Sequence, residues 1–203
     1  CMLDLGANIE CDSGNLVQFA VMGQIFARLV LNLSRPTVGL LNVGSEEQKG
    51  HEELREASSV LREIDLPMDF IGFVEGDDIT AGTVDVIVTD GFSGNIALKA
   101  AEGTSRMFTH FLREAFGSSI YSKIGYALSK TAINQVRERM DPRKYNGAVF
   151  LGLNGIAVKS HGGTDAFGFA NAIGVAADMS KYGFLDKVKD ELRMLHAEGE
   201  GSE

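Results

Sequence analysis

The sequence contains no tryptophan, only 3 prolines and only 2 cysteines among its 203 residues. So little proline excludes a collagen-like chain, and a hydrophobic content of 44% excludes a wholly disordered one. Cys1 and Cys11 alone cannot build a disulfide framework, and no Cys/His cluster has the spacing of zinc ligands. No run of about 18 apolar residues occurs either. We therefore expect a cytoplasmic globular chain with reduced thiols and with no bound metal or cofactor.

Positive charge is scarcer than negative charge over the whole chain, and one segment departs from this balance. The net charge is −9, and residues 45–102 carry fourteen acidic and four basic side chains. Residues 104–145 reverse this balance, with eight basic and three acidic side chains. Because binding to nucleic acid needs a broad cationic surface, we expect no nucleic-acid partner. The basic segment is compatible with a solvated helix face, an anionic membrane surface or an acidic partner protein.

Glycine is abundant, with 24 residues, and together with the scarcity of proline it indicates many tight turns between strands and helices. Short apolar runs predict buried strands at 1–5, 37–43, 68–74, 84–89, 148–153 and 156–159. Apolar residues at helical spacing predict helices over 15–32, 46–63 and 165–195, with a break in the last near Gly183. This alternation predicts an α/β fold with a parallel sheet covered on both sides. We expect residues 197–203 to form a disordered tail.

Two helical patterns follow one another within the basic segment, with no strand between them. Residues 117–119 separate an apolar stripe that ends at Phe116 from a second stripe that begins at Ile120. Apolar stripes with basic flanks are typical of an interfacial membrane anchor, and also of a helical hairpin that packs against a second subunit. The residues predicted to contact the membrane or the second subunit are Phe116, Ile120, Tyr121, Ile124 and Leu128.

Polar turns follow four of the predicted strands, at 4–8, 42–50, 89–95 and 159–165. In parallel α/β proteins such turns form the ligand site, because the carboxyl ends of the strands share one edge. In the 89–95 turn, glycines allow a ligand to approach the backbone, and N–H groups at a helix start favour an anion. Lys99 adds a positive charge one turn later. Neither GxxxxGK[ST] nor G-x-S-x-G occurs, so neither a nucleotide P-loop nor a serine elbow is predicted.

Taken together, the turns resemble the PlsX family of phosphate acyltransferases. The matching motifs are Asp4–Asn8, Leu40–Gly50, Val84–Gly103 and Gly152–Gly162, and the resemblance runs to about residue 193. It implies a three-layer α/β/α fold with a mostly parallel sheet and a protruding helical pair. This fold is that of isocitrate and isopropylmalate dehydrogenases, and also of phosphate acetyltransferases. Residues 1–196 would form the acyltransferase domain, with residues 104–145 as an inserted basic helical pair. Family members have a further N-terminal region, so we expect this chain to be a fragment equivalent to their C-terminal three-fifths.

The resemblance also implies an activity and partners. Family members transfer a long-chain fatty acyl group from acyl carrier protein to inorganic phosphate, which gives acyl phosphate for phospholipid synthesis. They are homodimers that associate peripherally with the membrane and deliver their product to a membrane glycerol-3-phosphate acyltransferase. Two alternatives stay open. One is a phosphate acetyltransferase-like or nicotinamide-dependent enzyme on the same fold, and the other is a non-catalytic fragment that dimerises or docks on membranes.

For the implied reaction, phosphate is itself an anionic nucleophile, so the protein must mainly position it and stabilise the developing oxyanion. We expect Lys159 and His161 to stabilise that oxyanion or to protonate the leaving thiolate, with Asn95 as the third catalytic residue. Asp90 is expected to cap its own turn. The residues expected to bind phosphate or to orient the substrate are Asn8, Asn42, Lys49, Gly91, Gly94, Asn95 and Lys99.

Overall fold

The computed structural model describes residues 1–200, and side chains through residue 195. At its centre is a four-stranded parallel sheet in the order β1-β4-β2-β3. The strands are β1 (Met2–Leu3), β2 (Thr37–Leu41), β3 (Asp69–Val74) and β4 (Val86–Val88). This confirms the predicted α/β class and is compatible with a three-layer α/β/α fold.

One face of the sheet packs against two helices, α1 (Ser13–Leu29) and α2 (Glu52–Glu63). Asp12 begins α1 by accepting a hydrogen bond from the N–H of Asn15, whose side chain accepts the N–H of Asp12 in return. The main core forms where α1 meets the strands, and it contains fully buried side chains from both, among them Val21, Ile25, Val38, Leu40, Val86 and Val88. The predicted helix over 15–32 is therefore confirmed, with its ends shifted by a few residues.

The opposite face of the sheet carries a smaller apolar cluster. Val74, Val84 and Ile87 are buried there, and Ile79 of the short helix α3 (Asp78–Ala81) packs against them. The sequence predicted helical cover on both faces, and the structure provides a single helical turn at this cluster.

A long helical pair follows β4. Helix α4 (Gly91–Gly117) spans 27 residues, and α5 (Ile120–Arg139) begins after the predicted interruption, where Ser119 accepts a hydrogen bond from the N–H of Ser122. No residue of α5 is buried, and those of α4 that are buried lie in its first turn. The pair therefore projects from the sheet, as predicted. Within residues 1–200, none of the helices is both long and apolar enough to cross a lipid bilayer.

The C-terminal part differs from the prediction at its strands. The runs predicted as buried strands of the parallel sheet form instead an antiparallel hairpin of β5 (Ala148–Phe150) and β6 (Ala157–Lys159), which is partly exposed. A parallel connection needs a crossover of a dozen or more residues, and the loop between these strands is shorter than that.

Two helices complete the fold, α6 (Ala166–Lys181) and α7 (Phe184–Glu200). They are separated by Gly183 in a left-handed conformation, with φ 65°, which confirms the predicted break. Helix α7 packs on α1 and continues through Glu200, into the region predicted as a tail. The remainder of that predicted tail, 201–203, lies outside the described residues.

Candidate active site

Three of the four polar turns meet at the carboxyl edge of the sheet, because β1, β4 and β2 are neighbours in that order. We call them the sheet-edge loops: residues 4–8 after β1, 89–95 after β4 and 42–50 after β2. The first two are joined where the N–H of Asp4 donates to the carbonyl of Thr89, at 2.9 Å. This edge is where parallel α/β proteins bind their ligands.

The loop after β1 is organised by the carboxylate of Asp4. One oxygen accepts the backbone N–H groups of Gly6 and Ala7, each at 2.9 Å. The other accepts the backbone and side-chain N–H groups of Asn8, at 2.7 and 2.8 Å. Burial opposes ionisation of Asp4, yet the hydrogen bonds from Ala7, Asn8 and Gly6 lower the pKa of this carboxyl below its ordinary value. Asn8 is therefore held in place while its side chain remains exposed.

The start of α4 packs directly on this loop. The N–H of Gly91 donates to the carbonyl of Asn8 at 2.7 Å, and a Cβ on Gly91 would lie 2.5 Å from the same oxygen. A Cβ on Gly94 would lie 2.0 Å from the carbonyl oxygen of Asp4. Asp90 caps the helix by accepting the N–H of Ser93 at 2.8 Å, which confirms its predicted role.

These contacts change the interpretation of Gly91 and Gly94. From the sequence, we expected the glycines to admit a ligand and the first-turn N–H groups to hold its charge. In the structure the glycines admit the backbone of residues 4–8, and the N–H groups of Gly91 and Ser93 already donate within the chain. Any anion bound here must rely more on side chains than on these two amides.

Asn95 provides such a side chain. It is half-buried on the first turn of α4, and its Nδ2 would lie 2.8 Å from a Cβ placed on Gly6, whose φ is 116°. Among the hydrogen bonds of the described residues, none uses the Asn95 side chain. The amide of Asn95 is thus placed beside Gly6, in the loop that also carries Asn8, with its donors and acceptor available.

The loop after β2 is held by Asn42, which is only 8% exposed. Its side chain donates to the carbonyl of Lys49 at 3.1 Å and accepts the N–H of Val43 at 2.8 Å. Gly50 has φ 88°, and a Cβ there would lie 2.3 Å from the Asn42 oxygen. This arrangement explains why α2 begins at Glu52, although the sequence predicted a helix from residue 46: a left-handed Gly50 cannot continue a helix.

Lys49 places a cation within this loop. Its Nζ lies 2.7 Å from the carboxylate of Glu46, and this hydrogen bond raises the pKa of Lys49 and lowers that of Glu46. Both side chains are about half exposed, so the pair is an exchangeable surface contact from which Lys49 can move to an anionic ligand.

Three predicted residues lie elsewhere. Lys99 is exposed on α4 and pairs with Glu102 at 3.5 Å. Lys159 ends β6 and His161 follows in the turn before α6, and both are exposed. Among the hydrogen bonds and ion pairs of the part that the structure describes, none joins these three residues to the sheet-edge loops. The structure therefore brings the segments of Asn8, Gly91, Gly94 and Asn95 together, with Asn42 and Lys49 on the loop after the neighbouring strand, and shows no such contact for Lys99, Lys159 or His161.

The residues predicted for membrane or subunit contact lie on the helical pair. Phe116 packs edge-on against Tyr126, with ring centres 5.3 Å apart, and joins α4 to α5. Ile120, Tyr121, Ile124 and Leu128 are exposed, by 83% for Tyr121 and 82% for Leu128. Four large apolar side chains along the first half of α5 thus face outward.

Sequence reasoning missed the role of two organising residues. Asp4 was given no role of its own, although a carboxylate directly after a strand, with Gly6, Ala7 and Asn8 within the next four residues, is a signal for loop capping. Asn146 was not identified at all. Its side-chain partners are 14 to 22 residues away in the sequence, so no local pattern indicates them.

The geometry defines a parallel α/β protein with a polar site at the carboxyl edge of its sheet. The family model described as "Fatty acid synthesis protein" matches residues 1–187, and the chain belongs to that family. The predicted resemblance is thereby confirmed.

Proteins named phosphate acyltransferase are similar to almost the whole chain. The one from Rhodospirillum centenum is 65% identical over 196 residues, which are 97% of this chain and 55% of the relative. That of Paramagnetospirillum magneticum is 60% identical over 96% of this chain and 55% of the relative. That of Agrobacterium fabrum is 59% identical over 97% and 56% respectively. The chain thus spans about half the length of the curated relatives it matches.

Proposed function

We propose that this chain contributes the sheet-edge site of a phosphate acyltransferase, which transfers a long-chain fatty acyl group from acyl carrier protein to inorganic phosphate. The observation that carries the proposal is the 65% identity to the Rhodospirillum centenum phosphate acyltransferase across 97% of the chain. The product, an acyl phosphate, is an activated acyl donor for phospholipid synthesis.

The sheet-edge loops support this chemistry. Asn95 and Asn8 offer neutral amide groups on two segments that pack against each other, and Lys49 offers a cation on the loop after the neighbouring strand. Amide side chains with one mobile lysine suit an oxyanion that must bind, react and leave. Phosphate is held by charge and hydrogen bonds, and it needs no general base because it is already an anion.

In the proposed reaction a phosphate oxygen attacks the thioester carbonyl carbon. The new C–O bond forms, and the carbonyl oxygen carries the negative charge until the C–S bond breaks. The leaving thiolate of the carrier then takes a proton. Asn95 is proposed to stabilise the tetrahedral oxyanion, and Lys159 and His161 to supply positive charge or the proton. Asn8 is proposed to orient the substrate, Asn42 to do so through the loop that it holds, and Lys99 to contribute charge from α4.

The helical pair is proposed as the surface for assembly and localisation. Its exposed apolar stripe and its basic side chains suit a second copy of the chain or an anionic membrane surface. A homodimer attached peripherally to the cytoplasmic membrane would release acyl phosphate near a membrane glycerol-3-phosphate acyltransferase. The same basic charge would attract the acidic acyl carrier protein.

The deciding assay measures the release of carrier thiol from palmitoyl-acyl carrier protein, with and without inorganic phosphate. The chain is assayed alone and co-expressed with the portion of the Rhodospirillum centenum relative that it does not match. We expect phosphate-dependent release from the co-expressed sample, which we call the reconstituted enzyme. If that sample is folded and associated but inactive, while the relative itself is active, the proposal is wrong. Acetyl-CoA turnover without the carrier would favour a phosphate acetyltransferase instead.

The same assay tests Asn95. Removing one oxyanion donor typically lowers turnover by about 10²- to 10³-fold, so Asn95→Ala should do the same in the reconstituted enzyme. Ser93→Ala is the matched control, because Ser93 lies on the same turn and its N–H still donates to Asp90. Equal turnover of the two variants would remove Asn95 from the mechanism.

A further inference from the structure

Asn146 connects three separate parts of the C-terminal region through one buried side chain. It lies between the 3₁₀ turn Pro142–Tyr145 and β5, and it is only 8% exposed. Its Oδ1 accepts the N–H of His161 at 2.9 Å. Its Nδ2 donates to the hydroxyl of Ser160 and to the carbonyl of Gly168, both at 2.8 Å. One side chain thus holds two consecutive residues of the turn after β6 against the first turn of α6.

Asparagine is the residue that these contacts require. Its side chain offers one acceptor and two donors, and all three are used here. Aspartate would lack both donors, and leucine, of similar size, would lack the acceptor as well. The buried position makes each lost partner costly, because water cannot replace it.

The contacts fix the direction of the neighbouring side chains. Ser160 is turned inward to Asn146, whereas Lys159 and His161, on either side of it, are exposed. The turn is closed where the N–H of Thr164 donates to the carbonyl of His161 at 3.1 Å. Further along, Arg143 of the 3₁₀ turn pairs with Asp165, the cap of α6, at 2.8 Å. Asn146 therefore holds this segment at Ser160 and His161, and the Arg143–Asp165 pair joins the start of α6 to the same 3₁₀ turn.

We propose that Asn146 is a positioning residue that sets where Lys159 and His161 stand during acyl transfer. The structural part of the inference, that Asn146 holds the turn, rests on the three hydrogen bonds. The catalytic part, that the turn must be held for acyl transfer, also rests on the proposed function. Asn146 acts through the turn and does not touch the substrate.

The structural part is tested without any activity measurement. Amide hydrogen exchange is recorded by NMR for the 203-residue chain and for Asn146→Ala. We expect exchange at His161 to become at least tenfold faster, while the amides of the core strand β4 keep their protection. Asn171→Ala is the matched control, because it removes a hydrogen bond from α6 to the carbonyl of Arg143, at 2.8 Å, and leaves Asn146 intact. Unchanged exchange at His161, or equal acceleration in both variants, would overturn the proposal.

The catalytic part is tested by a double-mutant cycle in the reconstituted enzyme. A small displacement of a catalytic group can lower the reaction rate by about 10²-fold, so Asn146→Ala should lower kcat/KM by about 10- to 100-fold. In the His161→Ala background, Asn146→Ala should lower kcat/KM by less than about threefold, because the His161 side chain that Asn146 positions is already absent. If Asn146→Ala lowers kcat/KM by the same factor with His161 present and with His161→Ala, its effect is purely structural and Asn146 is not a positioning residue for His161.

A second variant and the wild-type control separate the possible outcomes. If Asn146→Ala does not fold, Asn146→Asp, which keeps the acceptor and loses both donors, takes its place in the cycle. If the reconstituted enzyme with wild-type Asn146 has no phosphate-dependent turnover, the proposed function fails, and the exchange experiment still decides whether Asn146 holds the turn.

Discussion

Gly94 lies against the backbone of Asp4 so closely that a Cβ on residue 94 would stand 2.0 Å from the Asp4 carbonyl oxygen. The contact joins the first turn of α4 to the loop after β1, and with it the two segments that carry Asn95 and Asn8. Since the obstructing atom belongs to the backbone, a side chain at residue 94 cannot be accommodated by a rotamer change. The loop or the helix would have to move.

Gly94→Ala should therefore destabilise the chain. Overpacking of a close contact typically costs about 1–3 kcal/mol, and we expect a loss of that size in the free energy of unfolding, measured by urea denaturation. Gly103→Ala is the control on the same helix, because a Cβ there meets no atom within 4 Å. Alanine favours a helix over glycine by up to about 1 kcal/mol, so this control should be slightly more stable than the wild type. Equal stability of the two variants would show that the contact between residue 94 and the Asp4 carbonyl can accommodate a Cβ.

Asp4 should make stability depend on pH. In the folded chain, the hydrogen bonds that the Asp4 carboxylate accepts lower its pKa. In the unfolded chain, the pKa of an aspartate is about 4. A lowered folded pKa gives stability that is present above pH 4 and is lost as the pH falls through the folded pKa. We expect Asp4→Asn to be less stable than the wild type at pH 7, with the difference shrinking as the pH falls below about 4.

The measurement is the urea midpoint of each variant at pH 7 and pH 3. Asp77→Asn serves as the control, because Asp77 is an exposed carboxylate at the start of α3 whose side chain makes no capping hydrogen bond. A difference between Asp4→Asn and the wild type that stays constant with pH would mean that the Asp4 charge is not what holds the loop.

Glu191 makes a partly buried polar contact between α7 and α1, and we expect it to contribute to stability. It accepts hydrogen bonds from Gln24, which is fully buried, and from Arg28 at 2.9 Å, and it is itself only 16% exposed. Glu191→Ala leaves the Gln24 Nε2 without its acceptor and removes the carboxylate that pairs with Arg28, which keeps its hydrogen bond to the Gln24 oxygen. We therefore expect a loss of about 1–3 kcal/mol in the free energy of unfolding, measured by urea denaturation.

The neighbouring residue provides the comparison. Asp190 pairs with Arg193 at 3.6 Å on the exposed side of α7, and Asp190→Ala should change stability by less than about 1 kcal/mol. Glu191→Gln, which keeps one acceptor oxygen and replaces the other with an amide donor, should fall between the two alanine variants. If Glu191→Ala proves as mild as Asp190→Ala, α7 is held to α1 by its apolar face alone.

Much of the fold was predictable, because periodicity and turn chemistry are local. The strands β1 to β4 are short apolar runs separated by helical patterns, and Gly183 marks the break between α6 and α7. The β5–β6 hairpin was mispredicted, since an apolar run looks the same in a parallel sheet and in a hairpin. Only the length of the connecting loop distinguishes the two.

The site was less predictable, because a glycine that lets a ligand approach the backbone looks the same in the sequence as one that lets another loop approach it. Gly91 and Gly94 permit a close backbone approach, and the sequence does not say whether a ligand or another loop makes that approach. In the structure it is the loop of Asp4. Asn146 was missed for a related reason, since its contacts depend on how the hairpin and α6 come together in three dimensions.

The last prediction concerns the exposed stripe on α5. Ile124 and Leu128 are one helical turn apart, with 53% and 82% of their surfaces exposed, and basic side chains lie nearby in the sequence. If the stripe enters an anionic membrane surface, Ile124→Asp and Leu128→Asp should each lower the fraction that floats with phosphatidylglycerol vesicles by at least tenfold. Both apolar burial and electrostatic attraction are weakened by an added aspartate.

Ser129→Asp controls for charge alone, because it adds the same carboxylate beside Leu128 without removing an apolar side chain, and it should reduce flotation far less. A wild-type chain that stays in solution with these vesicles would contradict membrane contact. The stripe would then be assigned to a subunit interface, and sedimentation should show a dimer that Leu128→Asp dissociates. Because a membrane contact depends on lipid and a subunit contact depends on protein concentration, the two measurements separate the explanations without reference to catalysis.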